Sequence, residues 1–221
     1  MKYTVIQPPY SRDRSRSDAC FDFKMNLLDT LDSSVDVIVL PEYSDVPCAA
    51  STREEILADR AKYMDALMEK CRETAIRCQA VVFVNALVEA DGELRNTTIA
   101  IGRDGQRIGE YYKRHIPPLE LDAGIGHEYT EEFTPPPVIE IDGVRYGFLT
   151  CYDFYFYEAF AAMARQNMDV IIGCSLQRSD SHDALEIMCR FLAYNTNAYV
   201  VRSSVSFSED SVVCGASMIV S

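Results

Sequence analysis

Cys151 is the residue in this sequence best suited to act as a nucleophile. It follows an apolar run at residues 144–150 that predicts a strand, and it precedes an alanine-rich run at 156–166 that predicts a helix. A cysteine at such a turn lies near the unpaired N–H groups of a helix N-terminus, which favour thiolate over thiol. The backbone N–H of Tyr152 could hydrogen-bond the oxyanion formed when the thiolate adds to a carbonyl or nitrile carbon. The alternative is that Cys151 is only a small side chain packed in the turn.

Two charged residues also stand at predicted strand ends. Glu42 comes directly after Pro41, which ends a buried strand predicted at residues 35–40, and Lys113 follows the second strand of a predicted hairpin. In a sheet-based fold both side chains can converge on the rim from which Cys151 emerges. A carboxylate that moves protons and an ammonium that stabilises negative charge are sufficient partners for a thiol in acyl transfer. Taken singly, Glu42 could instead cap the next helix and Lys113 could be a solvated charge.

The elements that must position these residues alternate between short apolar runs and helical patterns. This alternation predicts an α/β layered fold without linkers or internal repeats. The segment 114–137 contains five prolines and is predicted to be a long loop, of the kind that usually serves a site. The predicted strands are residues 2–6, 35–40, 80–89, 96–101, 107–112, 144–150, 170–173, 198–203 and 212–220, and the predicted helices are 19–31, 53–78, 156–166 and 182–195.

Composition and charge narrow the class of protein. The chain has 221 residues, enough for one domain with one substantial core, and a formal net charge of −13, which repels phosphate backbones. Nucleic acid is therefore not an expected partner. The sequence shows no signal-peptide pattern and no run of about 18 apolar residues, so a membrane partner is not expected either. The eight cysteines are scattered without a CxxC pair, which is typical of a reduced cytoplasmic protein.

The sequence predicts neither a metal nor a cofactor. Its three histidines, His115, His127 and His182, show no metal-ligand spacing such as HxH or HExxH. A metal hydrolase is therefore the weaker alternative, and zinc dependence would revive it.

Three segments resemble, in the same order, the catalytic motifs of the nitrilase superfamily, also called the carbon-nitrogen hydrolase family. The likeness extends beyond these motifs and covers nearly the whole chain, whereas each motif alone would be a weak signal. The motif segments are residues 40–42 (LPE), 112–116 (YKRHI) and 150–158 (TCYDFYFYE), and the further matches are Gln7, residues 190–201 (RFLAYNTNAYVV) and residues 215–220 (GASMIV).

This resemblance implies a four-layer αββα sandwich in which Glu42, Lys113 and Cys151 form a catalytic triad. It also implies a second glutamate near the lysine, for which we select Glu120, with Glu128 as the alternative. The residues that we assign to substrate binding are Tyr43, Tyr152 and Ser175.

The leading hypothesis is hydrolysis of a small linear amide through a Cys151 thioester, with release of ammonia or an amine. A nitrile or an N-carbamoyl compound could enter the same site, and a non-catalytic binding protein that keeps the fold is the alternative from another class. Many family members carry Arg and Pro where this chain has Tyr155 and Tyr157. Because an arginine is suited to gripping a substrate carboxylate, its absence argues against an N-carbamoyl amino acid as substrate.

The resemblance further implies a homodimer in which helices beside Cys151 pack across a two-fold axis into an eight-layered sandwich. The predicted helices at residues 156–166 and 182–195 carry more apolar side chains than one buried stripe needs. The alternative is that these side chains fill a single-subunit core. We expect one domain over residues 1–221 that lacks a C-terminal segment, because family members continue beyond the position of Ser221.

Overall fold

The computed structural model describes residues 1–126, 136–177, 180–207 and 215–221. Within these residues the chain forms the helices α1 (Ser17–Asp29), α2 (Arg53–Cys78), α3 (Pro118–Asp122), α4 (Tyr157–Arg165) and α5 (His182–Thr196). The strands are β1 (Tyr3–Val5), β2 (Pro9–Tyr10), β3 (Val37–Val39), β4 (Val81–Ala90), β5 (Glu93–Ile101), β6 (Arg107–Tyr112), β7 (Ile139–Ile141), β8 (Val144–Thr150), β9 (Val170–Cys174), β10 (Tyr199–Ser203), β11 (Ser206–Phe207) and β12 (Met218–Val220).

Most of these strands belong to two five-stranded sheets. In the first sheet the order is β1-β3-β4-β5-β6, with β1, β3 and β4 parallel and β5 and β6 antiparallel to their neighbours. In the second the order is β12-β10-β9-β8-β7, with a parallel centre and antiparallel edge strands. Strands β2 and β11 form a separate parallel pair. The segments after β3, β6 and β8 carry the three predicted triad residues.

Helix α2 illustrates how local sequence sets the outer layers. The side chain of Thr52 accepts the backbone N–H of Glu55, and Glu55 also adds negative charge to the first turn, where the helix dipole favours it. The helix ends at Cys78, and the capping residue Gln79 adopts a left-handed conformation with φ of 54°. Leu67 and Cys71 lie on its buried face. No helix in the described parts of the chain combines the length and the apolar character needed to cross a membrane.

The helices and sheets stack in four layers. Helices α1 and α2 pack on the outer face of the first sheet, and α4 and α5 pack on the outer face of the second. The inner faces of the two sheets meet through aromatic rings, with the Phe83 centroid 5.1 Å from that of Tyr146 and 5.6 Å from that of Phe148. This arrangement confirms the predicted αββα sandwich.

The structure corrects the sequence prediction in three segments. The proline-rich segment predicted as loop contains the short helix α3, which begins at Pro118, a position where the missing proline N–H is tolerated. A 3-10 helix, Cys151–Tyr155, separates β8 from α4. Strand β12 begins at Met218, whereas residues 212–214 of the strand predicted there and residues 127–135 of the predicted loop lie outside the described residues.

Candidate active site

Cys151 occupies a sharp turn directly after β8. Its backbone is left-handed, with φ of 45°, and the 3-10 helix Cys151–Tyr155 begins at the same residue. A non-glycine residue in this conformation costs about 1–3 kcal/mol, and such strain is concentrated at functional sites because the surrounding structure must hold it. The half-buried Cys151 side chain leaves the sheet here and lines a cavity.

Asp153 connects this turn to the strand that leads to Lys113. One carboxylate oxygen, Oδ2, accepts the backbone N–H of Thr150 and the hydroxyl of Tyr111, both at 2.8 Å. The other, Oδ1, accepts the backbone N–H of His115 at 2.9 Å and lies 2.8 Å from Nδ1 of the same residue. Because Asp153 is fully buried and hydrogen-bonded through both carboxylate oxygens, it fixes the Cys151 turn relative to the end of β6. Sequence analysis missed this role, although an acidic residue two positions after the cysteine was a visible signal.

Lys113 forms a buried ion-pair cluster with two glutamates. Its Nζ lies 2.7 Å from Oε1 of Glu42 and also contacts the carboxylate of Glu120. The side chains of Lys113 and Glu42 are 1% and 2% exposed. Asn96 contributes a neutral donor, with its Nδ2 2.8 Å from Oε1 of Glu42. The structure therefore brings together Glu42, Lys113 and Glu120, the preferred second glutamate, whereas the alternative Glu128 lies outside the described residues.

The electrostatics around Cys151 differ from the sequence expectation. Burial and the nearby Glu42 carboxylate raise the pKa of the Cys151 thiol, and the opposing effects of Lys113 and the Leu176 backbone N–H do not compensate. The helix dipole invoked from the sequence is also displaced, because α4 begins only at Tyr157. The surroundings of Cys151 therefore act against the thiolate that the sequence analysis expected at this turn.

Each charged group in the Glu42–Lys113–Glu120 cluster changes the pKa of its neighbours. Burial alone lowers the pKa of Lys113, but Glu42 and Glu120 outweigh it, so the pKa is raised and the residue stays an ammonium. Burial and the charge of Glu42 raise the pKa of Glu120, while Lys113 and Asn96 act in the opposite direction. The arrangement thus provides one permanent cation and two carboxyl groups of different environment beside one thiol.

The cavity at Cys151 has a volume of about 260 Å³. Glu42, Glu120 and Tyr43 contribute to its wall, and among the described residues no cation lines it. Most of the remaining wall is apolar, including Val46, Ala50, Ile56, Leu119, Ile125 and Leu176. A substrate carboxylate would meet like charge in this described lining, because Glu42 and Glu120 share the one ammonium of Lys113.

The three predicted substrate-binding residues have different positions. Tyr43 lines the cavity, and burial together with the charges of Glu120 and Glu42 raises its pKa. The Tyr152 ring packs against Phe156 instead, at a centroid distance of 5.1 Å, and its side chain is not part of the cavity wall. Ser175 is fully buried and also does not line the cavity, whereas the next residue, Leu176, does. The role expected for the Tyr152 backbone N–H stays a prediction.

In the part of the chain that the structure describes, no group of three or more His, Cys, Asp or Glu side chains is arranged to hold a metal ion. His115 is engaged by Asp153, His182 begins α5, and His127 lies outside the described residues.

Comparison with known proteins gives a consistent family assignment. The model of the carbon-nitrogen hydrolase family matches residues 24–221. A nitrilase from Pyrococcus abyssi is 29% identical over 147 residues, which are 61% of this chain and 50% of that protein. The chain spans about half the length, or less, of the curated relatives it matches.

Solved structures share the same fold at lower sequence identity. A carbon-nitrogen hydrolase from Helicobacter pylori superposes with a TM-score of 0.73 at 21% identity, over 95% of this chain and 74% of that one. A double mutant of the amidase from Nesterenkonia sp., solved in complex with acrylamide, superposes with a TM-score of 0.72 at 17% identity, over 98% of this chain and 80% of that one.

Proposed function

The chain belongs to the carbon-nitrogen hydrolase family, and on that basis we propose that it hydrolyses a small linear amide through a thioester on Cys151. The observation that carries this proposal is the convergence of a strained, cavity-lining cysteine with the buried Glu42–Lys113 pair. Each member has a chemical task that its surroundings support.

In the first half of the reaction, Glu42 takes the thiol proton as Sγ of Cys151 attacks the amide carbon. A base is needed at this point because the pKa of the thiol is raised, and the thiol lies in contact with the Glu42 carboxylate. The negative charge that develops on the carbonyl oxygen is stabilised by the Lys113 ammonium and by the backbone N–H of Tyr152. Glu42 then gives the proton to the leaving nitrogen, and the C–N bond breaks to leave a thioester.

In the second half, Glu42 accepts a proton from water as the water oxygen attacks the thioester carbon. The C–S bond breaks, the proton returns to sulfur, and the products are a carboxylic acid and ammonia or an amine. Glu120 contacts Lys113 rather than Cys151, so we assign it to holding the ammonium in place. A nitrile would enter the same route through a thioimidate.

A neutral acyl group is the substrate feature that the cavity supports best. The described lining offers apolar side chains and two carboxylates but no cation, which disfavours carboxylate-bearing substrates such as N-carbamoyl amino acids. Acrylamide, the small neutral amide bound to the Nesterenkonia amidase mutant, has this chemistry. The nitrilase name of the Pyrococcus relative keeps a nitrile as the second candidate substrate.

We also propose a cytoplasmic homodimer. On α5 the side chains of Ile187, Phe191 and Tyr194 are exposed at helical spacing, and Tyr194 is 87% exposed. An apolar helix face of this kind is typical of an interface.

The seven cysteines among the described residues are unpaired, which supports a reducing compartment.

Ammonia release from a substrate panel tests the proposed activity. The panel contains propionamide, propionitrile and N-carbamoyl-β-alanine, and each reaction is repeated with Cys151→Ala. We expect release from propionamide that depends on Cys151, with less or none from the carbamoyl acid. Turnover that survives in Cys151→Ala, or a folded wild-type protein that cleaves none of the three, would argue against this function; the second result would favour the non-catalytic binding protein.

A further inference from the structure

Asn96 lies between the two glutamates of the cluster. It belongs to β5, is 1% exposed, and directs its amide nitrogen at both carboxylates, 2.8 Å from Oε1 of Glu42 and 3.4 Å from Oε2 of Glu120. Its own backbone carbonyl accepts the N–H of Lys113 at 2.9 Å. One residue thus contacts every charged member of the cluster.

The orientation of this amide is set by a backbone group. The N–H of Tyr43 can only donate, and it donates to Oδ1 of Asn85 at 2.9 Å. Nδ2 of Asn85 therefore faces Asn96 and donates to its Oδ1 at 2.8 Å. This leaves Nδ2 of Asn96 to face the carboxylates. The reversed amide would direct an oxygen at two carboxylates and a nitrogen at a nitrogen, so the network has one consistent solution.

The same contact distinguishes the two oxygens of Glu42. Oε1 accepts from Lys113 at 2.7 Å and from Asn96 at 2.8 Å. With two donors on Oε1, the other oxygen is the one with capacity for a further proton. We propose that Asn96 is a positioning residue that holds Glu42 by Oε1, so that Oε2 receives the proton of Cys151. This proposal rests on the proposed function, because it assigns Glu42 as the base.

A neutral donor suits this position for an electrostatic reason. Among the described residues, Lys113 is the one cation paired with Glu42 and Glu120. An arginine or lysine in place of Asn96 would neutralise the second charge and weaken Glu42 as a base, whereas an aspartate would add a third negative charge. The asparagine binds both carboxylates without changing the charge of the cluster.

The hydrogen-bonded chain also reaches the nucleophile. Nδ2 of Asn85 lies 3.2 Å from Oγ1 of Thr98, which lies 3.3 Å from Oγ1 of Thr150 on the other sheet. Thr150 directly precedes Cys151. Buried side chains that connect the two sheets therefore hold the base and the nucleophile at fixed positions relative to each other.

Two variants test this positioning role. Asn96→Asp replaces the donor with a carboxylate. Asn85→Asp keeps an acceptor for Tyr43 but offers Asn96 an oxygen, which forces the Asn96 amide to reverse. The matched control is Asn26→Asp, the same chemical change at an exposed site on α1. The readouts are the pH dependence of Cys151 alkylation by iodoacetamide, followed by peptide mass spectrometry, and kcat and KM for the amide.

In both test variants we expect slower Cys151 alkylation at pH 8, by about tenfold or more, because the added carboxylate raises the pKa of the thiol and one unit of pKa changes the thiolate fraction tenfold. We expect kcat to fall by at least about tenfold, less than the roughly 10²-fold or more that a positioned proton-transfer group contributes, because Glu42 is misplaced rather than removed, with KM changed much less. Asn26→Asp should match the wild type in both measurements. Thermal unfolding of each variant shows whether it is folded.

The results separate this proposal from the proposed function. If Asn96→Asp and Asn85→Asp are folded and keep the wild-type alkylation profile and kcat, the positioning role is wrong. A loss of thermal stability without any change in those two readouts leads to the same conclusion. If the wild-type protein cleaves no amide, the assigned amide hydrolysis fails, whereas wild-type turnover with unchanged kcat in both folded variants overturns the positioning role alone.

Discussion

Nζ of Lys113 lies 2.7 Å from Oε1 of Glu42, although 71 positions separate the two residues in the sequence. Both side chains are withdrawn from solvent. Removing one partner of a buried ion pair leaves an uncompensated charge, which typically costs about 3–5 kcal/mol. The pair therefore contributes both to stability and to the proposed chemistry. Substitutions of Glu42 and of Lys113 should change the reactivity of the Cys151 thiol in opposite directions.

Glu42→Gln should affect two properties of Cys151 in opposite directions. Amide turnover should fall by at least about 10²-fold because the proton acceptor is lost. Alkylation at pH 8 should become faster, because the Glu42 carboxylate contributes to the raised pKa of the thiol. Parallel measurement of kcat and of iodoacetamide labelling checks this expectation. If kcat were unchanged, Glu42 would not be the base, and slower alkylation would show that its carboxylate does not raise the pKa of the thiol.

Lys113→Ala should reduce kcat by about 10²-fold or more, the scale for losing an oxyanion stabiliser. It should also slow alkylation of Cys151, because the Lys113 charge lowers the pKa of the thiol. Urea unfolding should show a loss of about 3 kcal/mol from the broken buried pairs. The matched control is Lys62→Ala, whose exposed pair with Asp18 should contribute little to stability because solvent screens it. Equal behaviour of the two variants would contradict the role assigned to Lys113.

The motif positions were predictable from the sequence because each follows a recognisable strand. Asp153 and Asn96 were not, because their importance comes from partners on other strands, which no local pattern specifies. The hairpin between β4 and β5 was also missed, although its turn at Asp91 and Gly92 has the positive φ values that the Asp-Gly signal predicts. The direction in which the thiol pKa is shifted was not predictable either, because it depends on burial and on the Glu42 carboxylate, which comes from another strand.

Lys24 provides a test of stability against pH away from the site. Burial lowers its pKa from 10.5 to about 8, and its ammonium donates to the carbonyl of Ser44. Between these pH values the unfolded chain binds more protons at this residue than the folded chain, so this contribution to stability rises with pH. Below pH 8 the full burial penalty is present.

Lys24→Met should therefore raise the free energy of unfolding at pH 7, by about 1–3 kcal/mol after the lost hydrogen bond is subtracted. The gain should disappear near pH 10.5. Denaturant titrations of both proteins at several pH values measure the difference, which cancels the titrating groups that Lys24 does not influence but not Asp45, whose pKa the Lys24 charge lowers. Lys62→Met, at an exposed position, should show no such trend. A variant less stable than wild type at pH 7 would show that the Lys24 contacts outweigh its burial.

Assembly can be tested on the exposed face of α5. Phe191→Asp should convert the proposed dimer to a monomer, because a carboxylate would be buried against an apolar partner surface. Light scattering at micromolar concentration gives the mass, and Asp65→Asn on the exposed side of α2 serves as the control. We expect reduced activity in the monomer, since the interface helices follow the Cys151 turn. A wild-type monomer with full activity would contradict both the dimer and its link to catalysis.

Cys151 should carry a covalent acyl group during turnover, and intact mass spectrometry of the quenched reaction measures it directly. During turnover of propionamide, the mass should increase by one acyl group in place of one hydrogen, and peptide mapping should locate it at Cys151. Cys151→Ala should show neither the adduct nor turnover, whereas Cys78→Ala, which removes a buried thiol at the far end of α2, should show both. An adduct on another residue, or turnover that persists in Cys151→Ala, would contradict the assignment of Cys151 as the nucleophile.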